Sequence, residues 1–217
     1  MQIQGIHNNQ PNFQALKMTT VTEKAKNGVR NISIYSLNSK DKDFLDRASN
    51  VVKSQSFGKD NKLLGGETVR EVVDSALNKA KELTKFMMDR VFLAVEDGKK
   101  ITGIMEVSAR GDQRVKGLAV WNNDNLTRKA LMLTAMKDTE RLSDFALILP
   151  SEKSADGIKN FYRGMKFYTP KNEKQLMVEY DKLSTAIQSN EKSMKAGVVH
   201  HKSTTNVNLA KILKLDE

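Results

Sequence analysis

Between residues 67 and 107 the apolar residues change from a helical to an extended spacing, and few architectures accommodate that change. From Glu67 to Arg90, Val69, Val72, Val73, Ala76, Leu77, Ala80, Leu83, Phe86 and Met87 form one stripe at a period of 3.6 residues. Such a stripe is the face an amphipathic helix buries. Two apolar runs follow, Val91–Val95 and Ile101–Val107, on either side of Asp97-Gly98. Glycine there accepts the positive φ that a tight hairpin turn demands. A second turn around Gly111 leads to a third extended run, Val115–Trp121. A long helix leading directly into an antiparallel meander excludes purely helical and purely β architectures.

The flanking segments extend this pattern. Asn31–Leu37 alternates Ile32 and Ile34 with polar neighbours and reads as a first strand. Phe44, Leu45, Ala48, Val51 and Val52 then recur at helical intervals behind capping side chains. Leu126–Leu142 and Ser154–Met165 read as helices, separated by the unalternating run Phe145–Leu149. A run without alternation suits a strand covered on both faces. Phe167–Tyr168 and Gln175–Asp181 read as two short final strands. The expected order is β-α-α-β-β-β-α-β-α-β-β, an α/β fold whose central sheet is mixed, mostly antiparallel and flanked by helices. The ordered domain is expected at 31–183. Residues 1–30 and 184–217 are polar and read as a mobile N-terminal arm and a basic C-terminal tail. Within that tail, Val207–Leu215 has the spacing of a short helix that docks on the core or on a partner.

Charge and composition narrow the function. Thirty-six basic and 26 acidic residues leave a formal net charge of +10. This favours weak attraction to polyanions, RNA included. The charges are scattered, however, and no basic run carries the interleaved aromatics that stacking on single-stranded nucleic acid requires. A solvated, lysine-rich surface is the favoured reading. With no cysteine, thiolate metal sites, disulfides and cysteine nucleophiles are excluded. No apolar run reaches the roughly 18 residues of a membrane-spanning helix, and Met1–Lys17 lacks the pattern of a secretory signal. A cytoplasmic protein without a membrane partner is expected. His200-His201 lies in the expected tail without converging ligands, so no metal site is read from it.

Three segments together resemble the GNAT acetyltransferases over about Ile32 to Leu183. They are Gly117-Leu118-Ala119-Val120-Trp121 running into the helix Leu126–Leu142, the strand Phe145–Leu149, and Phe161-Tyr162-Arg163-Gly164-Met165-Lys166-Phe167. The last is similar to the family's Tyr-three residues-Gly-Phe signature. The resemblance implies acetyl-CoA as donor and an amine, of unknown identity, as acceptor. Its diphosphate would lie against the amides of Leu118, Ala119 and Val120 and the helix start at Asn125, Leu126, Thr127, Arg128 and Lys129, because unpaired N–H groups and the helix dipole attract phosphate. Tyr162 would protonate the departing thiolate. Glu106, amid Ile104, Met105 and Val107, or a water would deprotonate the amine. The residues read alone leave other roles open, Tyr162 as a core anchor beside Phe161 and Glu106 as an outward-facing strand residue. The sequence departs from the family in two places. Its phosphate loop, ordinarily Arg/Gln-x-x-Gly-x-Gly/Ala, here runs from Asn122 to Lys129 without a glycine and with Asp124 in it, and Lys166 stands where the signature has glycine. Two functions follow: an acyl-CoA-dependent N-acyltransferase, or a catalytically inactive relative serving as a protein-interaction or basic nucleic-acid-associated module. Paired final strands or the terminal helix would support a homodimer.

Overall fold

The computed structural model describes residues 15–26, 28–39, 44–47, 68–83, 89–109, 111–142, 146–148, 156–171, 175–202 and 206–214. Its strands are β1 (Ala15–Ala25), β2 (Gly28–Leu37), β3 (Arg90–Glu96), β4 (Lys100–Ala109), β5 (Gln113–Val120), β6 (Leu147–Ile148), β7 (Met177–Val178), β8 (Gly197–His200) and β9 (Asn206–Val207). All lie in one sheet of order β7-β6-β5-β4-β3-β2-β1-β8, with β9 also on β1. β5 and β6 run parallel and the other pairs are antiparallel. The mixed, mostly antiparallel sheet expected from the sequence is thus present. The helices are α1 (Val69–Glu82), α2 (Asn125–Arg141), α3 (Asp156–Gly164), α4 (Tyr180–Ser193) and α5 (Leu209–Ile212).

Alternation along the strands builds two cores, one on each face. Ile32, Ile34, Phe92, Met105, Val115 and Val120 turn toward α2, α3 and α4. Leu37, Val91, Leu93, Ile104 and Ala119 turn toward α1, α5 and the buried pair Phe44 and Leu45. The hairpin between β3 and β4 closes as expected. Asp97 (φ 48°) and Gly98 (φ 66°) are both left-handed, and the Lys99 N–H donates to the Glu96 carbonyl at 3.0 Å. Thr68 and Glu71 form a reciprocal cap at the start of α1.

Two glycines set how closely the helices approach. A Cβ on Gly117 would lie 2.8 Å from Val72 of α1. One on Gly103 would lie 3.0 Å from the Ala119 carbonyl and from Thr127, and 3.1 Å from Leu131 of α2. The start of α2 can therefore sit directly on β4.

Several expectations are corrected. Ala15–Ala25 is a strand, not part of a mobile arm, and it buries Ala15, Met18, Thr19 and Val21. Its threonines and lysines made it look solvated, although β-branched threonine suits a half-buried strand. The chain after residue 183 is likewise ordered over its described part. α4 buries Leu183, Ala186, Ile187 and Asn190 against the core, and β8 and β9 both pair with β1. α1 ends at Glu82, where Leu83 turns extended, and Arg90 opens β3. Phe86 and Met87 lie outside the described residues, as do Ala48, Val51, Val52, Phe145 and Leu149. The final strands shrink to Met177–Val178 and a bridge from Tyr168 to Met177, because Tyr180 already begins α4. α5 docks on its own chain, with Leu209 fully buried. No helix among the described residues is long and apolar enough to cross a membrane.

Candidate active site

β5 and β6 are paired over two residues, Gln113 with Leu147 and Arg114 with Ile148. Beyond Arg114 the described residues give β5 a strand partner on one side, β4. A bulge marks the same place, since Lys116 is unmatched between the pairs Glu106–Gly117 and Val107–Val115. Gln113 stands at this end of β5, 1% exposed, and among the described residues its amide nitrogen has no hydrogen-bond partner. The strand edge from Val115 to Val120 then runs to the start of α2.

Between β5 and α2 the chain turns through Trp121–Asn123. Asn122 (φ 54°) and Asn123 (φ 53°) are both left-handed, and the Asp124 N–H donates to the Trp121 carbonyl at 3.1 Å. Asparagine tolerates this conformation better than other side chains do, so a glycine-free loop still turns sharply. Trp121 is 3% exposed in the α1-side core.

Asp124 dominates the helix start. Its carboxylate accepts from the Leu126 N–H at 3.2 Å and from the Thr127 hydroxyl at 2.5 Å. Arg30 of β2 holds both its oxygens, one at 3.2 Å, and Glu96 of β3 binds the Nε of the same guanidinium at 2.5 Å. The helix is therefore capped by an anion, and that anion is paired with a cation on β2, three strands from β5 in the sheet. Burial by itself pushes the Asp124 carboxyl up, but the bonds from Arg30 and Thr127 outweigh it and hold the group below the ordinary carboxylate value. A carboxylate lowered in this way stabilises the fold above its unfolded value, about 4, and loses that contribution as pH falls through the folded value. The stability gap between the wild type and Asp124→Asn, read from urea unfolding, is accordingly expected to shrink on going from pH 7 to pH 3. A gap independent of pH would show that the Arg30 pair contributes nothing.

The site residues inferred from the resemblance are partly brought together. Ala119 and Val120 are buried in opposite cores, while Leu118 packs at the rim of the α2-side core. Asn125 is exposed; Leu126 and Lys129 are partly exposed, and Thr127 is fully buried, 3.3 Å from Thr102. Arg128 stacks its guanidinium 5.4 Å from the centre of the Phe161 ring and reaches the Asn123 side chain at 3.4 Å. That stacking ties the first turn of α2 to α3.

Tyr162 is 7% exposed, edge-on to Phe161 at 5.2 Å and to Phe167 at 5.7 Å. Burial pushes its phenol up to about 12, slightly offset by Arg128, so it stays neutral at physiological pH. It can hold and donate a proton but cannot serve as a base there. α3 closes at Lys166, which adopts φ 69°, and the Phe167 N–H then donates back to the Tyr162 carbonyl at 3.0 Å. This is the helix ending that glycine ordinarily supplies. Lys166→Gly is expected to raise stability by about 0.5–1 kcal/mol, because glycine carries no steric cost at that φ. Unchanged or lower stability in chemical denaturation would contradict this.

Glu106 lies on the other face of the sheet from Tyr162, partly exposed, where Ser75 of α1 donates to it at 3.1 Å. The two therefore do not line one wall of a pocket. His200 is held between the Thr19 hydroxyl at 3.1 Å and Glu191 at 2.8 Å, and His201 meets Thr20 at 2.9 Å. The described residues hold no group of three or more metal-ligating side chains.

No family model and no curated protein matches this chain. Among solved structures it is similar to an N-acetyltransferase from Staphylococcus aureus Mu50 (16% identity, 69% of this chain and 98% of that one, TM-score 0.44). It is also similar to the spermidine/spermine N-acetyltransferase SpeG from Vibrio cholerae (11%, 71% and 96%, TM-score 0.47). A third is the AtaT toxin, solved with acetyl-CoA and the C-terminus of the antitoxin AtaR (11%, 71% and 96%, TM-score 0.45). Likenesses of this strength assign this chain neither a family nor an activity.

Proposed function

We propose that this chain transfers an acyl group from a thioester to an amine. The observation that carries the reading is Tyr162 of α3, buried and kept neutral, next to the Arg128–Phe161 stack that joins α3 to the start of α2. In the reaction the amine nitrogen bonds to the acyl carbon, the carbon–sulfur bond breaks, and its electron pair leaves on sulfur. One proton passes from nitrogen to the thiolate, so amine and thioester become amide and thiol. Tyr162, neutral and beside Arg128, is the group proposed to hold a proton for the departing sulfur. Glu106 or a water, approaching from the opposite face, is the proposed acceptor of the amine's proton. Acetyl-CoA is the natural donor to test, but the start of α2 does not fit its diphosphate, since Asp124 fills that position.

That same carboxylate favours the second reading, a non-catalytic module with the fold and without the reaction. Thiol release decides between them. The full chain is incubated with acetyl-CoA or S-acetyl-pantetheine and a panel of primary amines. Amine-dependent release from either donor is expected, and none from both would leave the module reading standing.

A further inference from the structure

We infer that β8 is a pH-operated latch: when His200 takes up a proton, this strand leaves β1 while the rest of the sheet stays folded. The inference is independent of the acyltransferase reading. β8 stands at one end of the strand order, and none of its residues is fully buried. Val199 is 55% exposed. An element that buries so little apolar surface is among the first to open locally. Its inward polar anchor is His200, whose Nδ1 meets the Thr19 hydroxyl at 3.1 Å and whose Nε2 meets Glu191 of α4 at 2.8 Å. A carboxylate only accepts, so Nε2 carries the proton of the neutral ring and Nδ1 is left to accept from Thr19. Thr19 is 1% exposed, and among the described residues its hydroxyl has no other side-chain partner. A second proton on the ring makes Nδ1 a donor too, and the Thr19 hydroxyl proton then lacks an acceptor, which is costly in a buried site. The charged ring would also join Lys137 and Arg141 of α2, which face it, while Glu140 is already taken up by Lys137 at 2.6 Å. Arg141 holds the His201 carbonyl at 2.9 Å and cannot swing away without loosening the same strand. His201 lies on the other face of β8, where Thr20 bonds it at 2.9 Å and Lys17 adds positive charge. Burial outweighs the pull of Glu191 and holds the His200 ring below its ordinary value. The docked strand therefore prefers the neutral ring. Its hold on β1 is complete above the open strand's ordinary value, about 6.5, and declines as pH falls below it.

The test is amide hydrogen exchange on the full chain at pH 7.5 and pH 5.5, corrected for the intrinsic rate at each pH. The amides read are those of Gly197–His200 and of His201, which donates to the Met18 carbonyl at 2.8 Å. Their opening constant is expected to rise roughly fivefold at the lower pH. One proton taken up only in the open state would give at most about tenfold over that interval, and the docked ring also protonates in part. Amides of β3 and β4 are expected to keep their protection. His200→Gln, which retains a neutral donor and acceptor, is expected to make β8 indifferent to pH, and His201→Gln to leave the fivefold change in place. The inference is overturned by no change at β8, by an equal change in β3 and β4, by the same response in His200→Gln, or by its loss in His201→Gln. Should His200→Gln not fold, the ring nitrogen shifts of the wild type take its place. Opening that follows protonation of His200 supports the latch, and opening that does not follow it overturns the inference equally.

Discussion

Tyr162→Phe should lower amine-dependent thiol release by roughly a hundredfold, the lower range for loss of a positioned acid, and leave the fold essentially unchanged. The ring makes edge-on contacts with Phe161 and Phe167 that phenylalanine preserves, and burial already keeps the phenol neutral. What the substitution removes is the proton, not the packing. Turnover and melting temperature measured on the same preparation separate the two. A variant that melts like the wild type and turns over at the same rate would make Tyr162 a core residue. A variant that loses both would show that its hydroxyl supports the fold.

Leu131→Ala should cost about 3 kcal/mol in urea unfolding, in the range for deleting a buried leucine from a core that relaxes incompletely. Leu131 is fully buried, and its side chain closes over Gly103, where an added Cβ would lie 3.1 Å away. The cavity would form directly beneath the first turns of α2, so donor binding should weaken along with stability. A loss below about 1 kcal/mol would mean that α2 settles onto β4 and fills the space.

The middle of the fold was legible because its physics is local. A 3.6-residue stripe, an Asp-Gly turn and an unbroken apolar run each determine their element without reference to anything distant. The ends were not legible. β1 offers Leu16, Met18 and Val21 among lysines and threonines, and α4 buries a narrow face that includes Asn190. Asn190 donates to the Met165 carbonyl at 3.0 Å, a polar anchor that hydrophobic spacing cannot reveal. At the site, capping by Asp124 was readable from its place before a helix. Its pairing with Arg30, 94 residues away in sequence, was not. The left-handed backbones at Asn122, Asn123 and Lys166 were hidden as well, since pattern reading looks for glycine where the fold uses asparagine and lysine.

The seam between β1 and β8 has a consequence for biosynthesis. Thr19 and His200, which meet across it, are 181 residues apart, so the first strand emerges from the ribosome long before its outer neighbour exists. During that interval one flank of β1 is an unpaired template for other chains. Closing so long a loop also delays the final step of folding. Crowding and slow translation of the last stretch should therefore influence yield.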